Sequence, residues 1–114
     1  HRIWQNALAF YKQEAGLLEE RIAEIAQRNT ATEVLAEVEQ FQNQYIRQKE
    51  VIDTLRNKIN HHADDLEREY KERPVAIDHR LFADHTGMRD EMNTCEKLYR
   101  ELKDELMRWL AIRM

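Results

Sequence analysis

Glycine, proline, cysteine and serine are nearly absent from this chain. Its 114 residues include two Gly, one Pro, one Cys and no Ser. Because tight turns between strands depend on glycine and proline, the shortage predicts an all-α fold in a single domain, residues 1–114. The lack of serine excludes a Ser/His/Asp catalytic triad. The lack of glycine-rich segments likewise excludes a phosphate-binding loop.

Charge of one sign and long apolar runs are also missing. The net charge is -4 at pH 7, and both signs alternate along the chain, so we expect no nucleic-acid partner. No apolar run approaches the roughly 18 residues that indicate a membrane span, so we expect no membrane association. The lone Cys95 cannot form an intrachain disulfide, which favours a reducing, cytoplasmic location.

Apolar residues recur at alternating steps of four and three, a heptad pattern typical of helices that pack lengthwise. The pattern predicts helices over about 2–28, 31–72 and 78–113. A capping box of Thr30 and Glu33 marks the start of the second helix, and Pro74 ends it. The predicted core positions are Trp4, Leu8, Tyr11, Ala15, Leu18, Ile22, Ile25, Val34, Val38, Phe41, Tyr45, Gln48, Ile52, Leu55, Ile59, His62, Leu66, Leu81, His85, Met88, Met92, Cys95, Tyr99, Leu102, Leu106 and Trp109.

Two short connections force neighbouring helices to run in opposite directions. We therefore predict an elongated, antiparallel three-helix bundle with coiled-coil-like heptad seams. Turns near residues 29 and 74 would bring Tyr11, Gln48 and Tyr99 into one polar layer, where the amide can bond both phenol hydroxyls. We interpret this layer as register-setting, because polar core residues favour one pairing over its alternatives.

The first helix is too short to cover the whole of the second. In the predicted register it reaches about Ile59, and beyond that level the other two helices continue as a pair. A second copy of the chain is the first expected cover, because two-fold dimers are the commonest assemblies. A different helical protein or a segment before His1 would serve equally. The interaction surface predicted in this 60–86 hairpin end comprises Ala63, Leu66, Leu81 and Phe82.

Four of the five histidines fall in the same hairpin end, at positions 61, 62, 79 and 85. Imidazoles with a carboxylate can bind zinc or another transition metal. The alternatives are histidines that only pack near a turn, and a pH-responsive interface whose imidazoles gain charge below a pKa near 6.5. The Glu-x-x-His and His-Glu-x-x-His spacings of helical metal sites are missing, so we expect no cofactor. The candidate ligands, should a metal bind, are His61, His62, Asp65 and His85.

Two stretches, EVEQFQNQYIRQKEVIDTL at 37–55 and RPVAIDHRLFADH at 73–85, resemble segments of small bacterial helical proteins of unknown function predicted as coiled coils. The resemblance implies a stand-alone bacterial protein. It carries no activity, ligand or catalytic residue that could be transferred to this chain.

No arrangement of residues indicates catalysis, so we predict that the protein is not an enzyme. Cys95 occupies a core position between apolar neighbours and is expected to be a small buried hydrophobe. The predicted function is a non-enzymatic structural or protein–protein interaction module, a homodimer that self-associates through the 60–86 hairpin end. The alternative is a helical bundle that binds a metal or small ligand through His61, His62, His79 and His85.

Overall fold

Three long helices make up the fold. The computed structural model describes residues 2–72 and 77–113, with their side chains apart from those of residues 69 and 77–84. Helix α1 is Arg2–Arg28, α2 is Thr32–Glu72 and α3 is Ile77–Arg113. The described part of the chain contains no strand. The predicted all-α helical bundle is thereby confirmed, and the helix bounds differ from the predicted ones by at most one residue.

The connection between α1 and α2 is closed by two local hydrogen bonds. Asn29 Nδ2 donates to the Ile25 carbonyl at 2.8 Å, which satisfies one of the carbonyls that a helix end leaves unpaired. The Leu35 amide donates to the Ala31 carbonyl at 3.1 Å. Because the N-cap carbonyl accepts the first helical bond, Ala31 is the N-cap, and the prediction of Thr30 was one residue early. Residues 73–76 of the predicted second turn lie outside the described residues.

The four-and-three spacing places one apolar stripe of each helix in a common core. The partly exposed Trp4, Tyr11 and Phe41 pack against its rim, whereas Gln48 and His62 are buried within it. The buried apolar residues are Leu8, Ala15, Leu18, Ile22, Ile25, Val34, Val38, Tyr45, Ile52, Leu55, Ile59, Met88, Met92, Cys95, Tyr99, Leu102, Leu106, Trp109 and Leu110. The core is therefore a narrow column along the bundle.

Contacts between α1 and α2 run in opposite sequence directions. Gln5 bonds Asn60, whereas Glu19, two-thirds of the way along α1, pairs with Lys49. Residue numbers thus fall along α2 as they rise along α1, the order that an antiparallel hairpin requires. The Cα atoms extend over 63 × 19 × 18 Å, so the bundle is a rod.

Leu55 tests the position of the core. Its side chain is 6% exposed, and Leu55→Ala should lower the free energy of unfolding by about 2–5 kcal/mol, because it removes packed apolar atoms and leaves a cavity. Urea denaturation followed by circular dichroism measures the change. The matched control Ile46→Ala, at a side chain 48% exposed, should cost less than about 1 kcal/mol. Equal losses for the two variants would contradict the burial of Leu55.

Candidate functional site

An aromatic layer with acidic partners occupies the middle of the bundle. The rings of Tyr11 and Tyr99 stack with centroids 4.5 Å apart and planes inclined by 27°. The Tyr11 hydroxyl donates to Glu96 Oε1 at 2.9 Å, and the Tyr99 hydroxyl donates to Glu14 Oε1. Gln48 is buried and contacts Cys95, which lies one helical turn before Tyr99. Gln48 and Tyr99 therefore lie in the bundle interior, and Tyr11 lies at its rim.

The hydrogen bonds of this layer differ from the predicted ones. The Gln48 amide was expected to bond both phenol hydroxyls, but its Nε2 points to Cys95 Sγ at 3.9 Å. The hydroxyls lie at the far end of rigid rings and reach carboxylates at the rim of the core, which are stronger acceptors than a neutral amide. The register-setting role of Tyr11, Gln48 and Tyr99 remains a prediction.

Tyr45 contributes a buried hydroxyl whose environment differs from those of Tyr11 and Tyr99. The residue is 0% exposed, and its Oη has no hydrogen-bond partner among the described residues. Burial raises the pKa of the Tyr45 hydroxyl, and the negative charges of Glu14 and Glu19 raise it further. Burial and the bond to Glu14 likewise raise the pKa of Tyr99. Both phenols are therefore neutral at physiological pH.

Glu14 links α1 to α3. It accepts the Tyr99 hydroxyl and pairs with Lys103 Nζ at 3.0 Å. Partial burial pushes the pKa of the Glu14 carboxyl upward, but the hydrogen bonds from Tyr99 and Lys103, together with the lysine charge, leave it below the ordinary value of 4.5. The folded state thus stabilises the ionised form of the Glu14 carboxyl over the protonated form.

The two buried tyrosines allow a matched comparison. Tyr45→Phe should leave the free energy of unfolding unchanged or raise it by about 1 kcal/mol, because it removes a hydroxyl that is buried without a partner. Tyr99→Phe makes the same chemical change but should lower that free energy by about 1–2 kcal/mol, because it removes a donor to a carboxylate. Urea denaturation of both variants measures the difference. A larger loss for Tyr45→Phe than for Tyr99→Phe would contradict these environments.

The lowered pKa of Glu14 predicts an acid-sensitive contribution to stability. A carboxyl whose pKa is lower in the folded state stabilises the fold above its unfolded pKa, and this contribution disappears as pH falls through the folded pKa. Thermal unfolding between about pH 6 and pH 3 should therefore show a shallower acid loss for Glu14→Gln than for wild type. Glu20→Gln, on the exposed face of α1, is the control. Identical pH profiles for both variants would refute the assignment.

The predicted metal ligands have different surroundings in the structure. His62 is buried, whereas His61 is exposed. Asp65 accepts a bond from Arg68 at 2.7 Å, and the His85 ring stacks on Trp4 with centroids 5.0 Å apart. Within the described residues, no group of three or more His, Cys, Asp or Glu side chains is placed to bind a metal. The His79 side chain lies outside the described ones, so a metal site stays a prediction.

The 60–86 hairpin end extends past α1. The first turn of α1 lies level with Asn60, which Gln5 bonds at 2.7 Å, and α2 continues from there to Glu72. Ala63 is exposed and Leu66 is half-buried. The side chains of Leu81 and Phe82, the other two residues of the predicted surface, lie outside the described ones.

Polar contacts bridge both flanks of α1. On the side of α2, Lys12 pairs with Asp53 at 2.8 Å, and Lys49 pairs with Glu19 at 2.7 Å. On the side of α3, the contacts are the two tyrosine–glutamate bonds and the Lys103 pair described above. The third flank of the bundle, between α2 and α3, faces away from α1.

An open groove of about 690 Å³ runs along this third flank. Leu55 and Cys95 form its floor, and Val51 and Leu98 form its walls with 46% and 47% of their surface exposed. Charged and threonine side chains surround this apolar strip. The remaining lining residues are Arg47, Glu50, Thr54, Lys58, Asp90, Glu91 and Thr94.

One cross-helix contact lies at an end of the groove, and a second group of contacts lies on the same flank about three helical turns beyond its other end. At one end, Lys58 Nζ and Glu91 Oε1 are 2.5 Å apart. Towards the other end, Glu37 accepts bonds from Trp109 and Arg113, and these bonds lower the pKa of Glu37. The groove between residues 47–58 of α2 and 90–98 of α3 is the candidate functional site, which we call the α2–α3 groove.

The heptad pattern of the sequence does not predict this groove. Val51 and Leu98 directly precede the core positions Ile52 and Tyr99, so the heptad pattern assigned them to the outer faces. A signal was present, because each is a large apolar residue outside the seam of its helix. Cys95 is buried in the groove floor, as expected, and burial and the charge of Glu96 raise the pKa of its thiol.

No protein-family model matches the chain, and neither a curated protein nor a solved structure matches it. In the described residues, no helix is both long enough and apolar enough to cross a membrane. The α2–α3 groove is therefore interpreted from its own geometry.

Proposed function

We propose that the protein is a non-enzymatic helical interaction module that self-associates. The observation that supports this proposal is the α2–α3 groove, in which Val51 and Leu98 expose nearly half of their surface above an apolar floor. Grooves of this kind between two helices accept a further amphipathic helix in many recognition complexes. Burial of such half-exposed side chains contributes about 1 kcal/mol each.

The chemistry of the groove favours binding over catalysis. Its one thiol, that of Cys95, is buried and has a raised pKa, so it is a poor nucleophile. Threonine hydroxyls and opposite charges surround the apolar strip, an arrangement typical of an interface with an apolar centre and a polar rim.

Three further proposals come from the sequence. Self-association through the 60–86 hairpin end stays open as a second surface, and Leu66 is its one large apolar residue with a described, half-buried side chain. A cytoplasmic location agrees with the single cysteine. The bacterial origin implied by the resemblance stays a proposal of the same kind.

Light scattering over a range of concentrations at pH 7.5 tests the proposed function. We expect a wild-type dimer, and we expect Val51→Glu and Leu98→Glu to be monomers, because each places a charge on the apolar wall of the groove. The control is Leu17→Glu, which changes a leucine 57% exposed on α1 and should remain a dimer.

The contrary outcomes are distinct. A dimer that Leu66→Glu dissociates, and that both groove variants leave intact, would assign association to the 60–86 hairpin end. A wild type that is monomeric at every concentration would overturn self-association.

A further inference from the structure

We propose that the groove binds a second copy of the chain about a two-fold axis parallel to the helices, so that α2 of each copy faces α3 of the other. This inference rests on the proposed function and adds the arrangement of the partner. The order of charges along the two rims of the groove favours this arrangement.

The contact between Lys58 and Glu91 sets which residues of α2 and α3 lie at the same level. From it, residue numbers fall along α2 as they rise along α3, with 1.5 Å per residue in both helices. Val51 therefore lies level with Leu98, and Arg47 lies within one residue, about 1.5 Å, of the level of Glu101. Three further charged residues lie within one residue of these levels and are exposed: Glu50, Asp90 and Lys97.

A two-fold axis parallel to the helices keeps each residue at its own level and places α2 opposite the partner's α3. Lys58 then faces the partner's Asp90, and Arg47 faces the partner's Glu101. Between these two levels, Val51 faces the partner's Leu98. Each of these contacts occurs twice, so the two-fold axis doubles the complementarity.

Glu50 completes the pattern of the rim. It lies one residue before Val51 on α2, and Lys97 lies one residue before Leu98 on α3. Because residue numbers run in opposite directions along the two helices, the levels of Glu50 and Lys97 differ by about 3 Å. In the parallel-axis arrangement, Glu50 is near the partner's Lys97, which is 75% exposed. The three charged levels therefore all bring opposite signs together, and complementary rims of this kind specify the register of an interface.

The other two-fold arrangement is disfavoured by the same charges. An axis perpendicular to the helices, at the middle of the groove, lays α2 on the partner's α2 and α3 on the partner's α3. Arg47 then faces the partner's Lys58, and Glu91 faces the partner's Glu101. Both contacts pair like charges, which oppose association.

Single charge reversals separate the two arrangements. In the parallel-axis dimer, Lys58→Glu faces the partner's Asp90, and Asp90→Lys faces the partner's Lys58. Each variant alone should therefore weaken dimerisation about tenfold or more at low salt, and the effect should shrink as salt screens the rim. Sedimentation equilibrium of each purified full-length variant measures the dissociation constant.

Mixing the two variants is the decisive step. In a mixed dimer, Glu at position 58 of one copy faces Lys at position 90 of the other, and the second contact keeps the wild-type pair. Native mass spectrometry with one variant labelled with ¹⁵N should show mixed dimers in excess over both self-dimers. Thermal unfolding of each variant shows whether the loss of the intrachain Lys58–Glu91 pair has affected the fold.

Each contrary result has its own meaning. Tighter dimerisation by Lys58→Glu would overturn the proposed arrangement in favour of α2 on α2, where the new carboxylate faces the partner's Arg47. A dimer that Val51→Glu dissociates, but whose charge variants do not recombine selectively, would also overturn it and keep the groove as the interface. A monomeric wild type would overturn both proposals and leave a foreign helix as the occupant.

Discussion

The structure depends on the burial of one apolar stripe from each of three helices in a single narrow column. Ile22, Ile52 and Leu106, one from each helix, are completely buried, and their heptad spacing holds the helices along their length. In the middle of this column the large rings of Tyr45 and Tyr99 fill the space. A buried hydroxyl needs a hydrogen-bond partner, and the Tyr99 hydroxyl finds one in the Glu14 carboxylate at the rim of the core. Packing thus places the helices, and the tyrosine–carboxylate bonds connect α3 to α1.

A three-helix bundle has three outer grooves. In this chain the three grooves differ in how many polar side-chain contacts cross them. Lysine, glutamate and tyrosine contacts span both flanks of α1. Along the α2–α3 flank, the same kind of contact occurs at Lys58 with Glu91 and at Glu37 with Arg113, and apolar side chains lie between them. The function proposed for the chain follows from this one difference, because a further helix is the partner that an apolar groove with a charged rim fits best.

The sequence predicts the helices well because their signals are local. Spacing selects most of the core positions, although Leu66 and His85 are only partly buried and the buried Leu110 lies outside the predicted set. The short segment at 29–31 separates α1 from α2. The sequence does not predict contacts that depend on how far a side chain reaches across a groove. It placed Gln48 against two phenols, whereas the phenols of Tyr11 and Tyr99 bond Glu96 and Glu14. Val51 and Leu98 are absent from the predicted core positions, because a heptad pattern identifies the residues that face the bundle core and not those of a shallower groove outside it.

The most direct test of the groove as an interface is hydroxyl-radical footprinting of the wild-type chain during dilution. Leu98 forms a wall of the groove, whereas Leu17 lies on α1 with a similar exposed fraction. If the groove is covered by a second copy, oxidation of Leu98 relative to Leu17 should rise as the protein is diluted through its dissociation constant. A ratio that stays constant from the most concentrated to the most dilute sample would contradict the account.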